Sequence, residues 1–297
     1  MPIPEKQLET WAAQGSIQQS AATYQTIRRS LELNDASYAN RSFEIFLQGS
    51  YGNDTNVFRD SDVDVVVMLT SIYYSDTSGL SATDKAAYDK DFQGASYTWN
   101  DFKSEVLTHL RSKYEGAVTS GRKAIFIKGN NSRREADVLV AAQFKRFFTY
   151  RTSLDNSHAG GLCFWLPDGT RIVNYPKIHS AACSTKHAAT KKYFKPMVRI
   201  FKNLRNRMIE DRAIAEGIAP SYFLEGMLYN VPDESFGGTY QDTFVRCFNW
   251  INEADKSKLV CANGLTWLVR EDSSTAWPPA SLDTYIKATS FYWQNWK

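Results

Sequence analysis

Apolar residues over the first thirty positions fall at Trp11, Ile17, Tyr24, Ile27 and Leu31. These spacings are close to the helical period, so one or two helices are expected over residues 6–33. The pattern then tightens. Runs rich in β-branched and aromatic residues at 43–47, 63–69, 124–128 and 136–144 predict strands. A hairpin is expected from 162–166 and 170–173 about the turn Pro167-Asp168-Gly169. Residues 71–98 are mostly polar and read as a connection, followed by helical spacing over 102–114. From Lys186 the helical period dominates, to residue 212 and again at 221–229, 242–254 and 282–293. The expected class is α+β. A mixed-sheet lobe with an N-terminal bracing helix would span 1–180, and a helical lobe 181–297.

One strand carries charge where a buried run would exclude it. In FLQGSYGNDTNVFRDSDVDVVVML, Asp62 and Asp64 stand two residues apart at the head of a valine run. Side chains alternate along a strand, so the two carboxylates share one face and Val63, Val65 and Val67 take the other. Adjacent like charges repel, and a divalent cation between them removes the penalty. Magnesium prefers oxygen ligands and usually takes one or two carboxylates plus substrate phosphate. Asp137, again an acid heading an apolar run, is the candidate third ligand of a two-metal site. Acids at strand ends also serve simply as acceptors for turn amides, which is the plainer account of a lone pair. Gly49-Ser50 shifts the balance. At the end of a predicted strand, glycine lets backbone amides approach an anion and the serine hydroxyl can donate to a phosphate.

Composition narrows the setting. At 297 residues and 43% hydrophobic, the chain can bury a sizeable core in one large domain or two lobes. Thirty-five basic against 32 acidic residues give a net charge of only +3, too little for a nucleic-acid coat, so no stable nucleic-acid partner is expected. The four cysteines are scattered, and His158, His179 and His187 show no ligand spacing with them. Reduced thiols, a soluble chain without membrane contact and a cytoplasmic location are therefore expected.

Taken together, Gly49-Ser50, Asp62-x-Asp64 and Asp137 resemble the signature of the DNA polymerase beta-like nucleotidyltransferase superfamily. The segments QGSYGNDTNV, SDVDVVV, FKPMVRIFKNLRN and PSYFLEGMLYNVP are most similar to the bacterial cGAS/DncV-like nucleotidyltransferases of antiphage signalling systems. The resemblance implies a bilobal enzyme that joins ribonucleoside triphosphates (ATP, GTP or UTP) into a cyclic di- or trinucleotide and releases pyrophosphate. It further implies two magnesium ions, with manganese as the alternative, and a separate effector protein that binds the product. Gln48, Gly49 and Ser50 would then bind the nucleotide, with Gly49 and Ser50 holding the triphosphate.

The helical lobe supplies the remaining candidates. In TKKYFKPMVRIFKNLRNRM, Phe194, Met197, Phe201, Leu204 and Met208 should pack inward, while Lys191, Lys195, Arg199 and Lys202 gather on another side. A solvated charged face is the default for such residues; a bound triphosphate gives them a second use. By resemblance Lys202 contacts the triphosphate, with Lys195 the second candidate. Ser221 is placed near a helix N-cap and, by resemblance, beside the terminal phosphates. Tyr222 either packs in the core or stacks on a base, which any π-face permits. Arg133 and Arg134 are expected to face water. Two alternatives share the same core: a linear, template-independent RNA-tailing enzyme and an inactive scaffold.

Overall fold

The expected periods become elements in a computed structural model, which describes residues 1–15, 17–58, 62–273 and 275–296. In chain order these are α1 (Glu5–Ala12), α2 (Gln18–Leu31), β1 (Phe43–Leu47), α3 (Gly49–Gly52), β2 (Val63–Asp76), α4 (Ala82–Asp91), α5 (Trp99–Tyr114), β3 (Val118–Ser120), β4 (Ile125–Ile127) and β5 (Ala136–Tyr150). They continue with β6 (Asn156–Trp165), β7 (Arg171–Asn174), α6 (Pro176–Ala189), α7 (Phe194–Glu210), α8 (Ser221–Tyr229), α9 (Tyr240–Glu253) and α10 (Pro279–Gln294). Two compact units result: Gln18–Gln48 with Ser61–Lys177, and Met1–Ile17 with Gly49–Asp60 and Ile178–Lys297.

The first unit is built on one mixed sheet in the order β1-β2-β5-β4-β3, with β6 on β5 and β7 on β6. β2 and β5 run parallel and the remaining pairs antiparallel. Val63, Val65, Val66 and Val67 of β2 and Val138 of β5 are buried, as a central pair of strands requires. α5 starts at a reciprocal capping box, Thr98 with Asp101, and buries Phe102, Val106 and Leu110. Its Phe102 meets Tyr38 edge to face at 5.4 Å.

The expected polar connection at 71–98 is shorter than its composition suggests. β2 passes a register shift between Leu69 and Tyr73 and continues beside β5 to Asp76, and α4 follows. Aromatic packing explains the extension: Tyr73 joins Tyr88, Phe147 and Tyr150 in a small separate cluster.

The second unit surrounds α7, whose Phe194, Met197, Phe201, Leu204 and Met208 are buried in the positions the helical period gives them. The units differ from the expected 1–180 and 181–297. α1 and the segment around α3 group with the C-terminal helices, because Leu8 and Ala12 lie in the same apolar cluster as α7. Burial, not chain order, sets membership.

Phe201 stacks on Phe244 with ring centroids 4.6 Å apart and is fully buried. Phe201→Ala should lower unfolding stability by about 3–5 kcal/mol. An unchanged urea midpoint would contradict this account of the core.

Candidate active site

The acids are placed by strand register. Asp64 on β2 stands directly across from Asp137 on β5 in the parallel ladder, and in-register residues of neighbouring strands share a face. Both are half-buried, while Asp62, just ahead of β2, is exposed. The Asp137 carboxyl is pushed above the ordinary aspartate range, first by burial and then by the charges of Asp62 and Glu135. Asp64 and Asp137 are thus carboxylates partly withdrawn from water on one face of the sheet unit, with the charge of the exposed Asp62 acting on Asp137. Hard oxygen donors in that state suit a hard divalent cation, so the residues fit the expected metal.

At the end of β1 the Gln48 N–H donates to the Asp64 carbonyl at 3.0 Å. The side-chain Oε1 of Gln48 is buried without a hydrogen-bond partner among the described residues, an acceptor waiting for a donor. Gly49 follows with φ +67°, a conformation that favours glycine and turns the chain directly into Ser50.

In the second unit the Ser50 hydroxyl accepts from the Lys202 ammonium at 2.6 Å, which leaves the serine proton available to donate. Lys202 also donates to the Thr55 carbonyl at 3.0 Å and is fully buried. Lys195 pairs with Asp54 at 2.9 Å, and Arg199 donates to the carbonyls of Asp54 and Ala12 at 2.7 and 2.6 Å. Residues 195, 199 and 202 lie on one face of α7 by their i, i+4, i+7 spacing. The expected solvated face is thus an inner one, and its charges hold the 50–55 segment because backbone carbonyls there satisfy buried cations.

Tyr222 stacks on His179 with centroids 4.7 Å apart and planes at 24°, while its hydroxyl accepts from Asn263 at 3.0 Å. The ring is nevertheless 38% exposed, so it combines core packing with an accessible surface. Ser221 opens α8 next to its N-cap, Pro220, and its hydroxyl accepts from Arg205 at 3.2 Å.

The C-terminal region, residues 181–294, matches the model of the cGAS/DncV-like nucleotidyltransferase C-terminal helical domain. The whole chain is 39% identical to the cyclic UMP-AMP synthase of Rhodothermus marinus, covering 100% of this chain and 99% of that protein. It belongs to the cGAS/DncV-like nucleotidyltransferases. A cyclic dipurine nucleotide synthase from Elizabethkingia meningoseptica is 33% identical over 90% of this chain and 91% of its own length. The Rhodothermus marinus CdnE c-UMP-AMP synthase, solved with Apcpp and Upnpp, superimposes with a TM-score of 0.89 and 38% identity, over 99% of this chain and 98% of that one. A polymerase beta-like α+β fold follows, and no helix among the described residues is long and apolar enough to cross a membrane.

This nucleotidyltransferase also contains groups that periodicity and spacing miss. His179 and Cys183, without a recognisable motif, come together with Glu225; their potential ligand atoms all lie within 4.8 Å of one another. Glu225 accepts from Asn53, Thr55 and His179. The available signal was an acid inside the apolar run YFLEGML. Arg133 is buried instead of facing water, with its guanidinium 4.5 Å from the Tyr114 ring centre and donating to the Lys128 carbonyl.

An acid whose folded pKa is raised weakens the fold as pH climbs, because the unfolded chain loses its proton first. With divalent ions chelated, Asp137→Asn should therefore melt at a higher temperature than the parent near neutral pH. The advantage should vanish at pH values below about 4, where both states are protonated. Thermal melts across that range check the sign, and a parent that melts higher at neutral pH would reverse it.

Proposed function

We propose that this nucleotidyltransferase is a cyclic-oligonucleotide synthase, joining ribonucleoside triphosphates into a cyclic di- or trinucleotide and releasing pyrophosphate. The supporting observation is full-length similarity to a cyclic UMP-AMP synthase in a chain that keeps Asp64 and Asp137 at paired positions. ATP and UTP are the first substrates to supply, with GTP next. The product is a second messenger read by a separate effector protein in antiphage signalling.

Two magnesium ions, or manganese in their stead, would be held by Asp62, Asp64 and Asp137, neutralising phosphate charge and acidifying the attacking hydroxyl. The protein's own groups position and shield. Ser50, its oxygen engaged by Lys202, donates its proton to a phosphate oxygen. Lys202 adds fixed positive charge behind that hydroxyl, which costs no reorganisation as negative charge develops. Lys195 and Arg199 act one step back, holding the Asp54 turn. Ser221 donates to the terminal phosphates, since its oxygen is occupied by Arg205. Tyr222 offers its ring to a base without choosing among bases. Gln48 Oε1 accepts from a nucleotide hydroxyl or amine. Rate enhancement then comes mainly from orientation and electrostatics, as in other phosphoryl-group transfers.

Incubation with all four ribonucleoside triphosphates and magnesium, followed by mass spectrometry, should yield a small phosphatase-resistant ring. A ladder on added RNA would mean a tailing enzyme, and no product would mean a scaffold. Replacing both Asp62 and Asp64 by Asn should cut product formation on the order of a thousandfold or more, with folding retained. Synthesis at the parent rate would refute the metal assignment. Tyr222→Ala should raise KM for the stacked nucleotide roughly 5- to 100-fold, whereas Tyr222→Phe should stay near the parent, because stacking needs only the ring. Equal losses in both variants would point to the hydroxyl instead.

A further inference from the structure

We propose that Glu225 is a positioning residue that couples the Tyr222 ring to the Ser50 hydroxyl, which rests on the nucleotide-binding roles given above to those two groups. Glu225 sits on α8 between buried Leu224 and Met227 and is itself 3% exposed. A carboxylate there needs donors on both oxygens. It has three. Thr55 Oγ1 donates to Oε1 at 2.5 Å; Asn53 Nδ2 at 2.9 Å and His179 Nε2 at 2.6 Å meet Oε2.

These donors belong to two different parts of the nucleotide machinery. His179 is the ring against which Tyr222 stacks, so the Glu225 bond fixes the plane of the base platform from below. Asn53 and Thr55 belong to the segment that carries Ser50. Thr55 is bound on both sides: its hydroxyl donates to Glu225, and its carbonyl accepts from Lys202, the same ammonium that holds Ser50. One buried anion and one buried cation thereby grip a single residue, and a shift of either is felt by the other. Tilting the Tyr222 platform must strain the His179–Glu225 bond, and through Thr55 and Lys202 the orientation of Ser50.

A metal ion does not account for the cluster. Ligands at about 2.0–2.3 Å around a tetrahedral zinc stand more than about 3 Å apart. The His179 and Glu225 atoms are 2.6 Å apart, a hydrogen-bond distance.

Coupling of this kind is measured by a double-mutant cycle. The affinities of Apcpp and Upnpp are determined by calorimetry for the parent, Ser50→Ala, Tyr222→Ala and the double variant, each with Glu225 and again with Glu225→Gln. With Glu225 present, the loss in the double variant should differ from the product of the single losses by about threefold or more. With Glu225→Gln the losses should simply multiply, and parent affinity should fall about tenfold. If Glu225→Gln does not fold, His179→Phe keeps a stacked ring, breaks the same link and gives the same comparison. Equal coupling in both backgrounds, or none with Glu225, overturns the proposal. So does a parent that binds neither analogue. Product formation is assayed separately: coupling without cyclic product keeps the positioning role and sinks the synthase, whereas product without coupling does the reverse.

Discussion

Strand register forces like charges together, and the chemistry of the sheet unit depends on that constraint. Asp64 and Asp137 could separate only if β2 slid along β5, and a slip would disrupt the packing of valines buried on both faces of β2. The energies favour the register. Two unit charges at about 5 Å in an effective dielectric near 20 repel by about 3 kcal/mol. Burying one valine contributes roughly 1.5–3 kcal/mol, and Val63, Val65, Val66, Val67 and Val138 are all buried. Hydrophobic burial along β2 and β5 thus outweighs a repulsion of that size and holds the acids in register, which is why a charge can persist at the head of such a run.

The helical unit solves the opposite problem. Lys195, Arg199 and Lys202 face inward, where an unsatisfied cation would be costly, and the 50–55 segment answers with two carbonyls, a serine hydroxyl and Asp54. Carbonyl dipoles suit this task because they satisfy a cation without bringing a full negative charge that would cancel it. Lys202 meets such partners in the Ser50 hydroxyl and the Thr55 carbonyl while being completely buried. The carboxylate of Glu225 meets the same residue, Thr55, through its hydroxyl, so one anion and one cation share a neighbour.

Legibility followed physical range. The strands and the apolar stripe of α7 can be read because side-chain period is local, and Asp62, Asp64 and Asp137 stand out because they occur together with Gly49-Ser50 at the end of a predicted strand. Period does not say which neighbour a helix chooses, so α1 appeared as a brace for the sheet when its Leu8 and Ala12 pack with α7. Nor does it distinguish a charged face turned to water from one turned to backbone carbonyls, since both have i, i+4, i+7 spacing. β2 was cut short because Tyr73 and Tyr74 follow a register shift, where alternation breaks. Glu225 depends on partners far away in sequence, Asn53, Thr55 and His179, and spacing carries no information about such partners.

The same difference in range bears on how product identity changes within the family. The acid register is held by many buried contacts at once, so replacing any one valine leaves it intact. Base choice cannot lie in stacking on Tyr222, because every base offers a π-face. It must rest on a few hydrogen-bonding groups, and a site built to bond one base edge rejects another when its buried polar atoms are left unpaired. Gln48 Oε1 is a buried polar atom without a partner among the described residues, adjacent in sequence to the glycine turn and bound through its own N–H to Asp64. A change at a group of that kind alters which donor it can satisfy and leaves strand register untouched. Relatives 39% and 33% identical to this chain carry names as different as cyclic UMP-AMP synthase and cyclic dipurine nucleotide synthase, so a change of product is compatible with a shared strand register.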